Sequence, residues 1–236
     1  MTVSTSTFTG FPAEGLEFLA GLRKENSKAY FDAHRGAYES ALLAPAKDFV
    51  VALGEQLHAR VSPRIRAEPR VNGSILRINR DIRFSADKRP YKDHLDFWFW
   101  EGEGPSREHP GLFVRLRAER VGLGAGMHHF TPPVLTAYRA AVGDERTGAA
   151  LEEAIARATE LPGTMLGTVK YKRVPQGYGA DHQRAELLRH GALVVGGEWD
   201  MPAEVSGPAF VGWVAERLER VAPVERWLTE IVATDG

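Results

Sequence analysis

Between Arg77 and His94 lies the densest concentration of functional side chains in the sequence. Six cations (Arg77, Arg80, Arg83, Lys88, Arg89 and Lys92) stand against three carboxylates (Asp81, Asp87 and Asp93). The resulting local excess of +3 sits within a 236-residue chain whose net charge is -1. Guanidinium forks, ammonium groups and a phenol converging on one segment are what a phosphate or carboxylate recognises. The candidate anion-binding residues are therefore Arg77, Arg80, Arg83, Lys88, Tyr91 and Lys92. Asp81 would orient the arginines, and Asp81, Asp87 or His94 could supply a general base, although no spacing rule selects among them.

These side chains need elements to hold them. Apolar alternation predicts a strand over residues 75–84, with Leu76, Ile78, Ile82 and Phe84 on one face and Arg77, Asn79, Asp81 and Arg83 on the other. Arg80 then falls among the apolar positions. A desolvated guanidinium there must either pair with a carboxylate, pinning the sheet to a helix, or border a cavity. Arg77 and Arg83 would form a solvated row. Ser85, Ala86 and Asp87 suit a turn, and Pro90 stiffens the backbone before Tyr91. Lys88, Tyr91, Lys92 and His94 would thus lie on a loop at the sheet end.

Around this segment the periodicity is helical, then strand-like, then helical again. Leu16, Phe18, Leu19 and Leu22 follow helical spacing after Pro12, and Asn26-Ser27 marks a stop and a new N-cap. A second helix carries Tyr30, Phe31, His34 and Tyr38 and restarts at Pro45, with Phe49, Val50, Leu53 and Leu57 as its stripe. Strands are expected at 95–100, 112–117 and 120–126, in an antiparallel meander with a turn at Ala118-Glu119. Helices follow at 132–142 and 149–158, then a short helix at 183–189, a strand at 192–199, and two helices at 207–221 and 224–232. Helices, strands, then helices is an α+β order: a central, mostly antiparallel sheet flanked by N-terminal and C-terminal helices. Residues 1–10 are expected to form a flexible N-terminus ahead of a single domain over 11–236.

Composition excludes several chemistries. With no cysteine, disulfides, thiolate nucleophiles and Cys-containing metal sites fall away. Eight histidines are present, but no His-Glu-x-x-His or His-x-His spacing occurs, and His128-His129 on extended backbone would point to opposite faces. No metal site and no cofactor are predicted. Gly122, Gly124 and Gly126 lack the spacing and following helix of a dinucleotide loop. On a strand they share one face, over which a flat group must lie: an aromatic from the Phe97, Trp98, Phe99, Trp100 run, or a ligand. That aromatic run could suggest base stacking, yet four consecutive aromatics in a strand fit burial on both faces, and the balanced charge argues against nucleic acid. Lys170, Tyr171, Lys172 and Arg173 form a second basic patch, a solvated edge unless it folds beside Arg83 and Lys88. Neither a secretory leader nor a membrane span is visible, so a cytoplasmic location is expected.

The pattern Arg77-x-x-Arg80-Asp81-x-Arg83-Phe84, followed by Asp87-Lys88-x-x-Tyr91, resembles the hallmark motif of domain of unknown function 2461, a family of bacteria also found within longer fungal proteins. Phe8 to Phe11, Asn26 to Phe31, Glu68 to Asn72, Pro90-Tyr91-Lys92, Gly124-x-Gly126 with Pro132 and Arg139, and Pro175-x-Gly177-Tyr178 with Asp181-His182 are similar to that family as well. Gln183 is a departure, standing where the family commonly has proline. The resemblance implies one domain over nearly the whole chain and singles out the motif residues; it implies no activity, cofactor or partner.

The function expected from these residues is recognition of an anionic, perhaps phosphorylated, small molecule by the Arg/Lys/Tyr cluster. The alternative is an interaction module in which the Arg-Asp motif is an internal ion-pair network, and the third is nucleic-acid binding. Whether a reaction is catalysed, and the oligomeric state, are left open.

Overall fold

The structure, a computed structural model, describes residues 8–233. The chain enters through Phe8 and Phe11, both buried against Phe49, so Phe8 and Gly10 are packed and Thr9 is exposed, while the remainder of the expected flexible N-terminus lies outside the described residues. Helix α1 (Ala13–Lys24) buries Phe18, Leu19 and Leu22. The chain then turns at Asn26, and the Ser27 side chain accepts a hydrogen bond from the Tyr30 amide, capping α2 (Lys28–Ala33).

Beyond α2 the helix does not restart at Pro45. Instead α3 (Arg35–Ala37) passes through a π-helical turn (Tyr38–Leu43) straight into α4 (Ala44–Arg60). Pro45 has no N–H for the Ala41 carbonyl, and the wider turn makes room for its ring. Helix α1 crosses close to that carbonyl at Gly15, where a Cβ would lie 2.2 Å from the Ala41 oxygen.

Five antiparallel strands form one sheet in the order β1-β2-β3-β5-β4. They are β1 (Leu95–Trp100), β2 (Gly111–Leu116), β3 (Arg120–Met127), β4 (Thr164–Leu166) and β5 (Leu193–Asp200). Helices α5 (Pro132–Gly143) and α6 (Glu145–Thr159) fill the connection from β3 to β4, and α7 (Ala209–Ala233) closes the fold. The fold is thus α+β as expected. All six residues of β1 are buried, as a strand covered on both faces requires.

Three further expected elements differ. The two C-terminal helices are one, with Pro223 inside α7. A proline there costs about 3 kcal/mol, but Leu218 and Val221 before it and Val224, Trp227 and Leu228 after it are all buried, and that packing holds the helix together. The helix over 183–189 reduces to a 3-10 turn at Leu187–Arg189.

The last difference concerns the site. The strand over 75–84 does not form; only single bridges link Ile75 to Phe97 and Asn79 to Tyr91. The cause is local competition for backbone donors. Asp81 accepts from the Arg83 amide at 3.2 Å and Asp87 from the Arg89 amide at 3.1 Å, closing two turns that divert the chain from the sheet edge. Alternation therefore fails beyond Ile78, and Phe84 is 97% exposed.

The sheet has two faces. Phe97, Val114, Leu123 and Val195 belong to the core under α4 and α7, where Phe49 meets Phe97 and Phe210 at ring-centroid distances of 5.1 and 5.5 Å. The opposite face carries Asp96, Trp98, Phe113, Arg115 and the row Gly122, Gly124, Gly126. An aromatic does cover Gly124, but it is Phe113 of the neighbouring strand rather than a β1 residue. A Cβ on Gly124 would lie 2.5 Å from the Phe113 ring and 2.5 Å from the Val195 carbonyl oxygen. Gly124→Ala is accordingly expected to lose about 1–3 kcal/mol through overpacking, measured as a lower urea midpoint with unchanged slope.

Candidate functional site

The candidate residues of the 77–94 segment divide into three groups. Arg83 is spent on Asp81, with donor–acceptor distances of 3.0 and 2.7 Å, and Lys88 on the Ile82 carbonyl at 3.0 Å. Arg80 reaches Asp87 Oδ2 at 2.8 Å and the Arg89 carbonyl at 3.0 Å, and Arg89 shares that same Oδ2 at 2.7 Å. Arg80 thus pairs with a carboxylate of its own loop and does not pin the sheet to a helix. Hydrogen bonds from the Arg89 side chain and amide, with the charge of Arg80, hold the Asp87 carboxyl well below its ordinary range. Arg83 does the same to Asp81. Arg77 is exposed and has no ion pair among the described residues.

Arg80, Tyr91, Lys92 and His94 do come together, with Arg89 and Asp93, around a recess of about 190 Å³. Tyr91 forms its floor: the ring stacks on Phe31 at 4.5 Å and 10°, and its amide donates to Asn26 Oδ1 at 2.9 Å. The Asn26 stop between α1 and α2 is therefore also the anchor of the motif loop.

A larger cavity of about 330 Å³ opens on the second face of the sheet. Strands β1 and β2 present Asp96, Trp98, Phe113 and Arg115 to it, Leu76 closes one side, and Arg107, His109, His128 and His129 form the rim. Trp98 and Phe113 lie nearly parallel at 6.2 Å, with the His128 ring 5.4 and 5.5 Å from them. Burial against these rings, aided by the Arg115 charge, pushes the His128 pKa down, so the imidazole is neutral at pH 7. The Trp98 indole N–H is buried without an acceptor among the described residues.

Asp96 lines the larger cavity and is joined to the smaller recess through Lys92 and His94. It is 8% exposed, accepting from Arg115 Nε at 2.7 Å and Lys92 Nζ at 2.9 Å, with His94 Nε2 at 3.4 Å. Burial alone would raise its pKa, but hydrogen bonds from His94 and Arg115 and the charges of His94 and Lys92 outweigh it and hold the carboxyl far below its ordinary range. The ionic chain continues: His94 Nδ1 meets Asp93 at 2.8 Å, Arg117 meets Asp93 at 3.2 Å, and Arg117 meets Glu198 at 2.9 Å. Register explains it, since Asp96, Arg115, Gly122 and Glu198 are successive cross-strand partners, and Gly122 leaves the gap in the row open.

Asp96, Trp98, Phe113, Arg115, Arg107 and His128 are the site residues that sequence reasoning missed. One signal pointed to Asp96: a lone carboxylate inside an otherwise apolar strand, Leu95–Trp100, must find a partner when buried. Among the described residues no group of three or more His, Asp or Glu side chains could hold a metal ion, and no helix is long and apolar enough to cross a membrane. No curated protein matches the chain. The family described as Conserved hypothetical protein (DUF2461) matches residues 14–227, a span containing every strand of the sheet and all the side chains of both recesses, and the chain belongs to that family.

Proposed function

We propose that the protein binds a small anionic ligand with an apolar body in the cavity between the second face of the sheet and the His128-His129 rim. The observation that supports this most is the charge balance of the 330 Å³ cavity. Asp96 is already neutralised by Arg115 and Lys92, so Arg107, a rim cation without an ion pair among the described residues, leaves the site net positive. Trp98, Phe113, Leu76 and Met127 supply the apolar wall, and a few convergent polar groups over such a wall are the usual make-up of a small-molecule pocket. Among the described residues no hydroxyl lines it, and the proposed role is binding.

The test is calorimetric titration with a panel of aromatic carboxylates and phosphate monoesters. At least one ligand is expected to bind saturably, and Arg107→Ala and His128→Ala are each expected to weaken it about ten-fold, as loss of a charged or hydrogen-bonding contact does. Failure of the whole panel to bind, or unaltered affinity in both variants, would rule out this cavity.

In a second role, supported by the Arg83–Asp81 and Arg80–Asp87–Arg89 pairs, the family motif is an internal ion-pair network that shapes the 77–92 loop. The two roles are compatible: the loop network holds Tyr91 and Lys92 in place, and Lys92 in turn neutralises Asp96.

A further inference from the structure

The second basic patch lies outside both recesses. It belongs to the irregular segment between β4 and β5, where the Lys170 and Tyr171 amides donate to the Arg189 carbonyl at 3.1 and 2.9 Å. The Tyr171 ring carries two cations: the Arg139 guanidinium of α5 at 4.9 Å from its centroid, and Lys170 Nζ at 5.6 Å. Attraction to one ring is worth about 0.5–1 kcal/mol at an exposed site, and the two charges repel one another.

The patch lacks a counter-charge among the described residues. Arg80, Arg83, Arg115, Arg117 and Arg184 each meet a carboxylate. By contrast, Arg139, Arg189, Lys170, Lys172 and Arg173 have neither an ion pair nor a side-chain hydrogen bond among the described residues. Both Arg139 Nε and Arg189 Nε are buried without an acceptor. Those two Nε atoms are closed off from solvent, so the charge open to an outside anion is that of Lys170 and of the Arg139 terminal nitrogens, held on one ring with no carboxylate to balance them.

We propose that this patch is a phosphate-binding site, separate from the cavity, for a phosphorylated small molecule. The Arg139 terminal nitrogens carry no hydrogen bond among the described residues and can donate to two phosphate oxygens, and Lys170 adds a point charge from the same ring. Phosphate suits the site better than a carboxylate, because a dianion balances the two cations that one ring holds, whereas a carboxylate balances one.

The test uses the full chain and inorganic pyrophosphate at low ionic strength, followed by calorimetry and phosphorus NMR. Saturable binding is expected in the wild type. Lys170→Met and Arg139→Met are each expected to weaken it about ten-fold, and Arg107→Ala to leave it unchanged, which separates this site from the cavity. Lys170 is exposed, so its variant reads out the site even if Arg139→Met unfolds. No binding by the wild type, or wild-type affinity in Lys170→Met, would overturn the assignment. So would a single-stranded oligonucleotide that binds more tightly than pyrophosphate and competes for the patch, since the ligand would then be a polyanion.

Discussion

Asp96→Asn is expected to destabilise the protein by about 3 kcal/mol or more, the typical loss when one member of a buried ion cluster is removed. Asparagine keeps the shape of the side chain but cannot neutralise the two cations at 2.7 and 2.9 Å. Lys92 is itself largely buried, so its charge is left facing Arg115 in a poorly solvated place. The pH dependence carries a second signature. Because the folded-state pKa of Asp96 is depressed, its contribution is fully present above the unfolded value of about 3.9 and is lost as pH falls below it. Wild type should therefore lose stability steeply below about pH 4, whereas the variant, already without this contribution, should show a shallower acid limb. Urea titrations across pH 3 to 7 measure both effects; parallel curves for the two proteins would mean that Asp96 is not the charge centre of the site.

Glu225→Gln is expected to act in the opposite direction. Glu225 lies on α7, is 2% exposed, and accepts one hydrogen bond, from Thr229 at 3.0 Å. Burial is the main cause that pushes its pKa up to about 7, and nearby Glu101 adds to it, against smaller opposing effects of Thr229, Arg226 and Arg64. Here the folded pKa is raised above the unfolded value of about 4.3. Stability from this group is thus complete below about pH 4.3, declines as pH rises, and is flat again above about pH 7. Between those two pH values, ionising the buried carboxyl costs roughly 3 kcal/mol. Glutamine keeps the Thr229 contact without the charge, so the variant should match wild type near pH 4 and exceed it by roughly 3 kcal/mol at pH 8. Equal unfolding midpoints at pH 8 would show that Glu225 ionises without cost.

Much of the fold was legible because periodicity is a local property of the backbone. Leu95–Trp100 is bounded as a strand by its pattern, the Ser27 cap is recognisable from Asn26-Ser27, and the antiparallel pairing of β2 with β3 follows from the short turn at Ala118-Glu119. Where the reading failed, a local rule met a competing interaction. Leu76, Ile78, Ile82 and Phe84 alternate as a strand should, yet Asp81 and Asp87 capture the amides of Arg83 and Arg89, and the segment leaves the sheet. Pro223 signals a helix end, yet burial on both sides of it sustains α7.

For the site, the amino-acid sequence alone determined which side chains were available: a dense set of cations and carboxylates, no thiol, and a lone aspartate inside an apolar strand. Only the tertiary structure decided which of them are spent and which are free. Arg83 and Arg89 find carboxylates two residues away. Asp96 finds Arg115 nineteen positions along the chain, and Arg139 and Lys170 share the Tyr171 ring without an ion pair among the described residues. The physical reason is that ionic and hydrogen-bonding energies fall off within a few ångströms. Sheet register and loop closure, which join residues distant in sequence, set which charges come within that range.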